Sequence, residues 1–569
     1  MANILRINLN TATYESIPTP DTYRNLGGRG LTSRIISQEV PPDCDPLGEY
    51  NKLIFAPGVL AGSNVPNSGR ISVGAKSPLT KGIKEANAGG AAAHMLARLG
   101  IQAIVLEGFA KQWTALKIDK KGLTFFPADH LKMKGIKASI ESVRHDHGDA
   151  VSVIAIGQAG EMELMAAGIA ITSPDHFPRM AARGGLGAVM GAKKVKMIIV
   201  DDLDCQGPEV KNTALLKSSI KDFTRGITSH PLAAGLRRFG TPLLVGMINE
   251  MGAISTKNYS QGKFDGAEKI SGEYIAELID ARPNGDCSHR CMTGCVMSCS
   301  NIYTDAEGEV VVSGLEFETL ALMGANCLID DVDIIAAMNA VCNDFGLDTM
   351  DVGGAIAVAM DAGILPWGDG PGALRLVFEI AEGTKMGRMI GNGCKYTGEQ
   401  LGVARIPQVK GQCLSGYDPR VLKGTGVTYA TSPMGADHTC GNALPSPANP
   451  DYDPSASTGQ APVSQFLQRY FAAIDTLGIC LFAALPPLDM PELQKYLIDC
   501  VSAVLDESLE EQYLMRLGSM VNEEERKFNK AAGLGRLDDR LPKFFLSEDL
   551  EPGGNRFDVS DDELDNVHQ

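Results

Sequence analysis

Cys287, Cys291, Cys295 and Cys299 recur every four residues in the segment DCSHRCMTGCVMSCSNIY. Free thiols this close together oxidise and pair wrongly unless they are put to use. Three uses fit the run. A [4Fe–4S] cluster takes several corners from one compact run and closes the last with a remote cysteine. Structural zinc usually takes two CxxC-type pairs separated by a longer loop. The third use is a metal-free stripe on a helix. The spacing favours the cluster. The remote thiol is expected at Cys480 in DTLGIC (475–480), just after a glycine on a tight turn. A similar frame occurs earlier as NDFGLD (343–348). Either frame alone reads as a helix end with Gly at C′. Their likeness to one another weakens that reading, because both end in a residue able to contact a buried polar group.

Glycine-rich loops form the second feature. ARGGLGAVMGAKKVKMIIV (182–200) carries Gly184, Gly185, Gly187 and Gly191 ahead of a strand. The glycines precede the strand, so this is not a dinucleotide fingerprint, and no GxxxxGK[ST] loop occurs. They would let backbone amides and carbonyls approach a phosphate-bearing ligand. NSGRISVGAKSPLT (67–80) and KEANAGGAAAH (84–94) have the same character. Taken singly, a tight turn explains each of them.

The elements that must position these residues change along the chain. The first ~200 residues read as strands, with hairpins turning at Asn10–Thr13 and Asp119–Gly122. Strand-like runs follow at 53–56, 70–75, 101–108, 151–157 and 194–202, and a helix is expected within 87–100. From 205–216 onward the apolar spacing is mostly helical, as in 332–346, 372–383, 462–485 and 491–509. Residues 401–465 read as loop. The last 23 residues carry eight acidic groups and one Arg, which reads as a solvated tail. No repeat of fixed period is found.

A chain of 569 residues holds several domains, and 44% apolar with 21% charged residues marks a globular protein. The net charge of −17 argues against a nucleic-acid binder that works by neutralising phosphates. No apolar run approaches the ~20 residues of a membrane span. MANILRINLN lacks the pattern of a secretory signal, so a cytoplasmic location is expected. Thirteen cysteines in such a chain do not read as a disulfide framework.

Ten segments in order resemble the tungsten-containing aldehyde:ferredoxin oxidoreductase family over nearly the whole chain. They begin at GGRG (27–30) and run through APGVLAGSNVPNSGRISVGAKSPLT, EANAGG, ARGGLGAVMGAK, the cysteine run, GLEFET, NDFGLDTM, ATSPMGADH and DTLGIC, to RKFNKAAGLGRLDDRLP (526–542). The resemblance implies an α+β fold. A β-rich domain (1–205) forms a base for two pterins. A helical domain (206–415) carries the cysteine run, and a mainly helical domain (416–569) carries the fourth cluster cysteine. It implies tungsten, or molybdenum, held by the dithiolene sulfurs of two pterins, one nearby [4Fe–4S] cluster, and Mg²⁺ joining the pterin phosphates. Asn87 and Gly184 match the Mg²⁺ positions, flanked by Arg183 and Gly185. Arg70 matches an arginine that bridges a pterin and a cluster cysteine. The loops that grip the pterins map to Asn343, Gly346, Leu347 and Asp348, and to Asp475, Gly478 and Ile479.

This sequence departs from the family pattern in three places. The usual Cys-x2-Cys-x3-Cys is here Cys-x3-Cys-x3-Cys. That leaves two registers, and 291/295/299 is chosen over 287/291/295 because a strand-like SNIYTD follows Cys299. Asn343 stands where Asp is frequent. No His has a Glu three residues before it, so the iron that bridges two subunits in some members is not expected.

The implied reaction oxidises an aldehyde to a carboxylic acid, with electrons leaving through the cluster to ferredoxin or an iron–sulfur partner subunit in a homo- or hetero-oligomer. Glu318 and His438 match residues near the metal, with Glu316 as the register alternative, while His94 reads as packing. The competing reading is the bis-tungstopterin subunit of a larger low-potential reductase complex acting on an activated aromatic or carboxylic acid.

Overall fold

Two six-stranded sheets are built from the first 200 residues of the computed structural model, which describes residues 2–446 and 449–568. In the first sheet β1 (Asn3–Asn8) and β2 (Thr13–Pro18) form a hairpin. β3 (Leu53–Pro57), β4 (Ile71–Lys76) and β5 (Ile83–Ala88) follow as a meander, and β6 (Ile101–Glu107) returns to the centre. The order is β2-β1-β6-β3-β4-β5, with β1 and β6 parallel and the other pairs antiparallel. The second sheet uses β7 (Thr114–Asp119), β8 (Gly122–Pro127), β9 (Ser152–Ala155), β10 (Ile169–Thr172), β11 (Pro178–Ala181) and β12 (Val195–Val200). Its order is β11-β10-β9-β12-β7-β8, again with a single parallel pair, β7 with β12.

Read from the hairpin end, the two sheets have the same topology strand for strand. The sequence shows no repeat, yet the backbone repeats. β3, β4, β9, β10 and β12 are buried along their whole length, so their sequences are mostly apolar rather than strictly alternating. Each half places a glycine loop and a short helix between its fifth and sixth strands. These are NAGG and helix Ala92–Arg98 in the first half, and RGG and helix Leu186–Ala192 in the second.

After Val200 the chain is mostly helical, starting with helix Thr213–Ser229. A three-stranded antiparallel sheet interrupts it: β13 (Asp286–His289), β14 (Ser300–Thr304) and β15 (Val310–Ser313). The cysteine run is the connection from β13 to β14, which removes the helical-stripe reading. Helix Val332–Phe345 starts at Asp331, whose carboxylate accepts from Asp333 N and Ile334 N, and stops at Gly346 with φ 75°. Helix Gln460–Leu477 stops at Gly478 with φ 76°. Both glycines take the left-handed conformation that ends a helix without a Cβ clash.

Two expectations are corrected. Helix Lys423–Thr431 lies inside the stretch read as loop. The acidic C-terminus is not a solvated tail. Leu564 and Val567 are buried, Arg540 pairs with Asp561 and Asp565, Arg536 pairs with Asp565, and Lys423 pairs with Asp558. Composition counted the acids of the segment without the cations waiting on the body.

Gly518 tests the packing of the third region. A Cβ there would fall 1.7 Å from Arg469 O, a backbone atom of the neighbouring helix Gln460–Leu477. Gly518→Ala is expected to force the two helices apart at a cost of about 1–3 kcal/mol. Calorimetry should show a lowered thermal midpoint; an unchanged midpoint would refute the close packing.

Candidate functional site

The two glycine frames dock on the two halves of the β base, one each. Gly346 O accepts from Gly168 N at 2.8 Å, Asp348 N donates to Ala166 O at 2.9 Å, and Leu347 bridges to Ala167. On the other half, Arg70 N donates to Gly478 O at 3.2 Å, Val59 N to Thr476 O at 3.2 Å and Cys480 N to Asn67 O at 2.8 Å. A Cβ on Gly58 would lie 2.2 Å from Gly478 Cα, so this contact requires glycine. Asp348 caps helix Thr349–Asp361 and accepts from Arg183 Nε at 3.3 Å. Asp475 accepts from Asn87 Nδ2 at 3.1 Å and Arg29 Nη1 at 3.4 Å. Ile479 N donates to Ile474 O at 3.2 Å, closing the turn. Asn343 is half-buried, and no side-chain hydrogen bond is recorded for it among the described residues.

Cys291, Cys295, Cys299 and Cys480 are neighbours, although among the described residues no three or more His, Cys, Asp or Glu side chains are placed to hold a single metal ion. The Cys291 and Cys295 thiols hydrogen-bond, and each of the four thiols feels the charge of at least one other. Contact with Cys295, helped by Arg179 and Arg70, lowers the Cys291 thiol to about 6, while burial raises Cys299 and Cys480. Cys287 stands apart on β13. Its Sγ lies 3.5 Å from Arg238 Nη1, and its other charged neighbours are Asp280 and Asp286.

Glu318 and His438 come from segments 120 residues apart in sequence (438 − 318) and meet with Oε1 and Nε2 3.3 Å apart. Glu318 Oε2 accepts from Gly416 N at 2.7 Å, while Oε1 makes no hydrogen bond. Burial raises the Glu318 carboxyl above the ordinary carboxylate range, opposed in part by His438. The His438 Nδ1 faces Ser415 Oγ at 2.8 Å, and its ring lies 5.6 Å from that of Tyr417. Glu316 points elsewhere. It accepts from Thr241 Oγ1 at 2.5 Å and Ser300 Oγ at 3.4 Å, and its charged neighbour is Arg179.

The residues matched to phosphate and Mg²⁺ sit in the equivalent loops of the two halves. Arg70 Nη2 donates to Asn87 O at 2.9 Å and Arg70 Nε to Asn87 Oδ1. Gly184 has φ 86°, its carbonyl accepts from Ser77 Oγ at 2.7 Å, and a Cβ on it would strike Lys84 Cγ at 2.4 Å. Gly185 starts helix Leu186–Ala192 with φ 72°. Each of the Asn87 and Gly184 carbonyls holds one intrachain donor and keeps a second lone pair for a cation. Arg183 donates to Ala436 O at 2.7 Å and to Cys413 O. The donor set therefore suits a hard cation and anionic phosphates on one face, and soft thiolates for an iron–sulfur cluster on the other. His94 is buried, its Nδ1 accepting from Gly62 N at 2.8 Å, and burial pushes it down to about 4.

Several residues here carried no sequence signal. The segment Ser415–Gly416–Tyr417 holds both Glu318 and His438. Lys84, fully buried, donates to Asp437 Oδ2 at 2.8 Å and so fixes the residue before His438. Burial alone would raise Asp437, but Lys84 and Arg183 hold it well below the usual carboxylate range. Arg29 forms a bidentate pair with Glu525 at 2.9 and 2.8 Å. Only the motif GGRG hinted at Arg29; nothing marked Glu525.

Comparison with known proteins shows the family and the fold. The model of the aldehyde ferredoxin oxidoreductase N-terminal domain matches residues 4–202, and that of domains 2 and 3 matches residues 218–569. The tungsten-containing aldehyde ferredoxin oxidoreductases of Pyrococcus furiosus and Thermococcus kodakarensis are each 32% identical over 577 residues, covering 97% of this chain and 92% of theirs. The WOR-like subunit of an aliphatic sulfonate oxidoreductase of Pyrococcus furiosus is 25% identical over 474 residues, covering 74% of this chain and 71% of its own. The active-site complex BamBC of benzoyl coenzyme A reductase shares the fold, with a TM-score of 0.79 at 20% identity over 95% of this chain and 90% of that one. Among the described residues no helix is long and apolar enough to cross a membrane. With the family models covering both regions and relatives above 30% identity along nearly the full length, the chain belongs to the aldehyde ferredoxin oxidoreductase family.

Proposed function

We propose that this protein oxidises aldehydes to carboxylic acids at a tungsten bis-pterin, passing electrons through one [4Fe–4S] cluster to a ferredoxin or an iron–sulfur partner. The observation that carries the reading is the meeting of Glu318 and His438 within the field of Arg183, with the neighbouring thiols Cys291 and Cys480 within that of Arg70. Asn343, Gly346, Leu347 and Asp348 would hold one pterin, and Asp475, Gly478 and Ile479 the other. Asn87 and Gly184 would offer carbonyls to Mg²⁺. When bound, the metal–pterin supplies the two-electron couple of the oxidation, and the cluster carries those electrons away singly.

The chain's own residues handle the protons. An aldehyde and a water become an acid, releasing two protons and two electrons. Glu318 Oε1 accepts no hydrogen bond and has only the His438 imidazole at 3.3 Å, so it keeps lone pairs to take the proton of the water or hydrate. Burial raises its basicity toward neutral pH, where an effective base belongs. His438 Nε2–H donates to the aldehyde oxygen as charge builds there. Ser415 and the Tyr417 ring hold that imidazole in place, and Phe317 stacks on Tyr417 at 4.9 Å to close the wall against water.

Three predictions follow from these assignments. Replacing Cys480 by Ala should remove or degrade the cluster and its visible charge-transfer absorption, while Cys287→Ala leaves iron content unchanged. The reverse pattern would move the ligand register. Gly184→Val adds a β-branched side chain at positive φ against Lys84 and should give folded protein without tungsten; full metal occupancy would count against that loop.

Glu318→Gln and His438→Asn should each keep tungsten and iron while kcat falls by roughly 10²–10⁴ in an anaerobic viologen-linked aldehyde assay. In the wild type, activity should be lost as pH falls through the Glu318 pKa. That acid limb should lie above the ordinary carboxylate range, because burial raises the group, and it should vanish in Glu318→Gln. Wild-type turnover in Glu318→Gln would remove the base from this carboxyl.

A further inference from the structure

Arg179 on β11 is buried, with 8% of its surface exposed, and inserts between the β base and the three-stranded sheet. Its Nη1 donates to Ser300 Oγ at 2.9 Å and Ser313 O at 3.4 Å. Its Nη2 donates to Ser313 Oγ at 2.7 Å and faces His289 Nδ1 at 2.8 Å. All these partners are neutral acceptors or an imidazole. Nε, also buried, has no partner at all. No carboxylate pairs with Arg179 within 4.0 Å among the described residues; the imidazole stands between it and Asp175, 2.5 Å from His289 Nε2. The closest approach of an acid is indirect, through the Ser300 hydroxyl to Glu316, whose carboxyl burial shifts toward its neutral form. Gly314, at φ 88°, makes room for the guanidinium, since a Cβ there would lie 2.6 Å from Nη1.

A guanidinium stays charged in a protein. Shut away from water without an anion, it is costly. Every other buried arginine among the described residues has an acid: Arg29 has Glu525, Arg183 has Asp348, and Arg420 has Asp418. What lies next to Arg179 is the thiol group. Ser300 adjoins Cys299, His289 lies two residues before Cys291, and Cys291 feels the Arg179 charge. We propose that Arg179 is the buried counter-charge of the iron–sulfur cluster and raises its reduction potential. This rests on the cluster reading given above. A cluster held by four thiolates is net negative and becomes more so by one unit on reduction, so a fixed cation at its edge favours the reduced form. Arg70 also acts on Cys291 and Cys480, but Asp475 lies within its field and Asn87 takes its donors. Arg179 adds to it a second guanidinium that has no ion pair of its own.

The test is a potentiometric titration of the purified holoenzyme, following the electron paramagnetic resonance signal of the reduced cluster. Arg179→Gln keeps donors for Ser313 and removes the charge; Arg179→Lys keeps the charge; Ser313→Ala loosens the hydrogen bonds alone. The expected result is a midpoint shifted to more negative potential in Arg179→Gln, with Arg179→Lys and Ser313→Ala close to wild type and iron retained. An unshifted midpoint in iron-replete Arg179→Gln overturns the proposal. Should Arg179→Gln lose its iron, retention of iron and potential by Arg179→Lys supports the counter-charge, and loss in both variants assigns Arg179 to shape instead and overturns it. A wild-type protein with no cluster signal would sink the cluster reading itself, an outcome distinct from an unshifted midpoint.

Discussion

A guanidinium sealed from water joins the β base to the C-terminal region of this molecule. Arg29 and Glu525 are 1% and 0% exposed, and two parallel N–H···O contacts link them. Removing one partner of such a pair leaves an uncompensated buried charge, typically worth about 3–5 kcal/mol of destabilisation. Arg29 sits at the start of helix Gly28–Glu39, which lies on the first sheet. Glu525 lies on helix Tyr513–Ala531 of the C-terminal region. The same guanidinium reaches Asp475, the acid of the second glycine frame. Asp475 in turn holds Asn87, and Asn87 holds Arg70. The placement of the second glycine frame, the Asn87 loop and Arg70 therefore depends on a pair that touches none of the proposed chemistry.

The rest of the site follows from a repeated topology. Each six-stranded half offers the same kind of loop, glycine-rich and ahead of a short helix, and each receives one helix end bearing a left-handed glycine. Two equivalent platforms facing two equivalent caps make a two-part cradle. That explains why the frames at 343–348 and 475–480 resemble each other while their last residues differ. Asp348 turns back to cap its own next helix and bind Arg183. Cys480 joins the thiols. One cap closes its half with a carboxylate, and the other connects its half to the cysteine loop.

How much of this was legible in the sequence depended on whether a feature was local. Hairpins, the β-then-α order, helix ends at Gly346 and Gly478 and the strand after Cys299 all rest on contacts among near neighbours, and the sequence carries them. The topological repeat was invisible, because the two halves share strand order and not side chains. Glu318 and His438 could be brought together only by resemblance to a family, since no spacing rule joins residues so far apart. Ser415, Gly416 and Tyr417 were missed for a plainer reason. Gly416 acts through a backbone amide, and its lack of a side chain matters only because a Cβ would fall 2.5 Å from Ala321 Cβ. The acidic terminus was misread because composition records charge and not the partner that neutralises it.

The charges also sort themselves into two compartments. Around Glu318 and His438 the cations are spoken for: Lys84 pairs with Asp437, and Arg183 with Asp348. Burial raises the Glu318 carboxyl and outweighs the pull of His438 and Arg183, so it stays basic. Around the thiols the balance is reversed. Arg70 and Arg179 both act on Cys291, and the carboxyl beside them, Glu316, is pushed toward its neutral form. A site that must take protons at one end and release electrons at the other gains from this division. Positive potential over the base would weaken it, whereas positive potential over the thiols favours an electron arriving there. Glu316 and Glu318 stand two residues apart on either side of Phe317, one in each compartment. The buried Phe317 ring stands between the proposed proton-handling and electron-handling compartments.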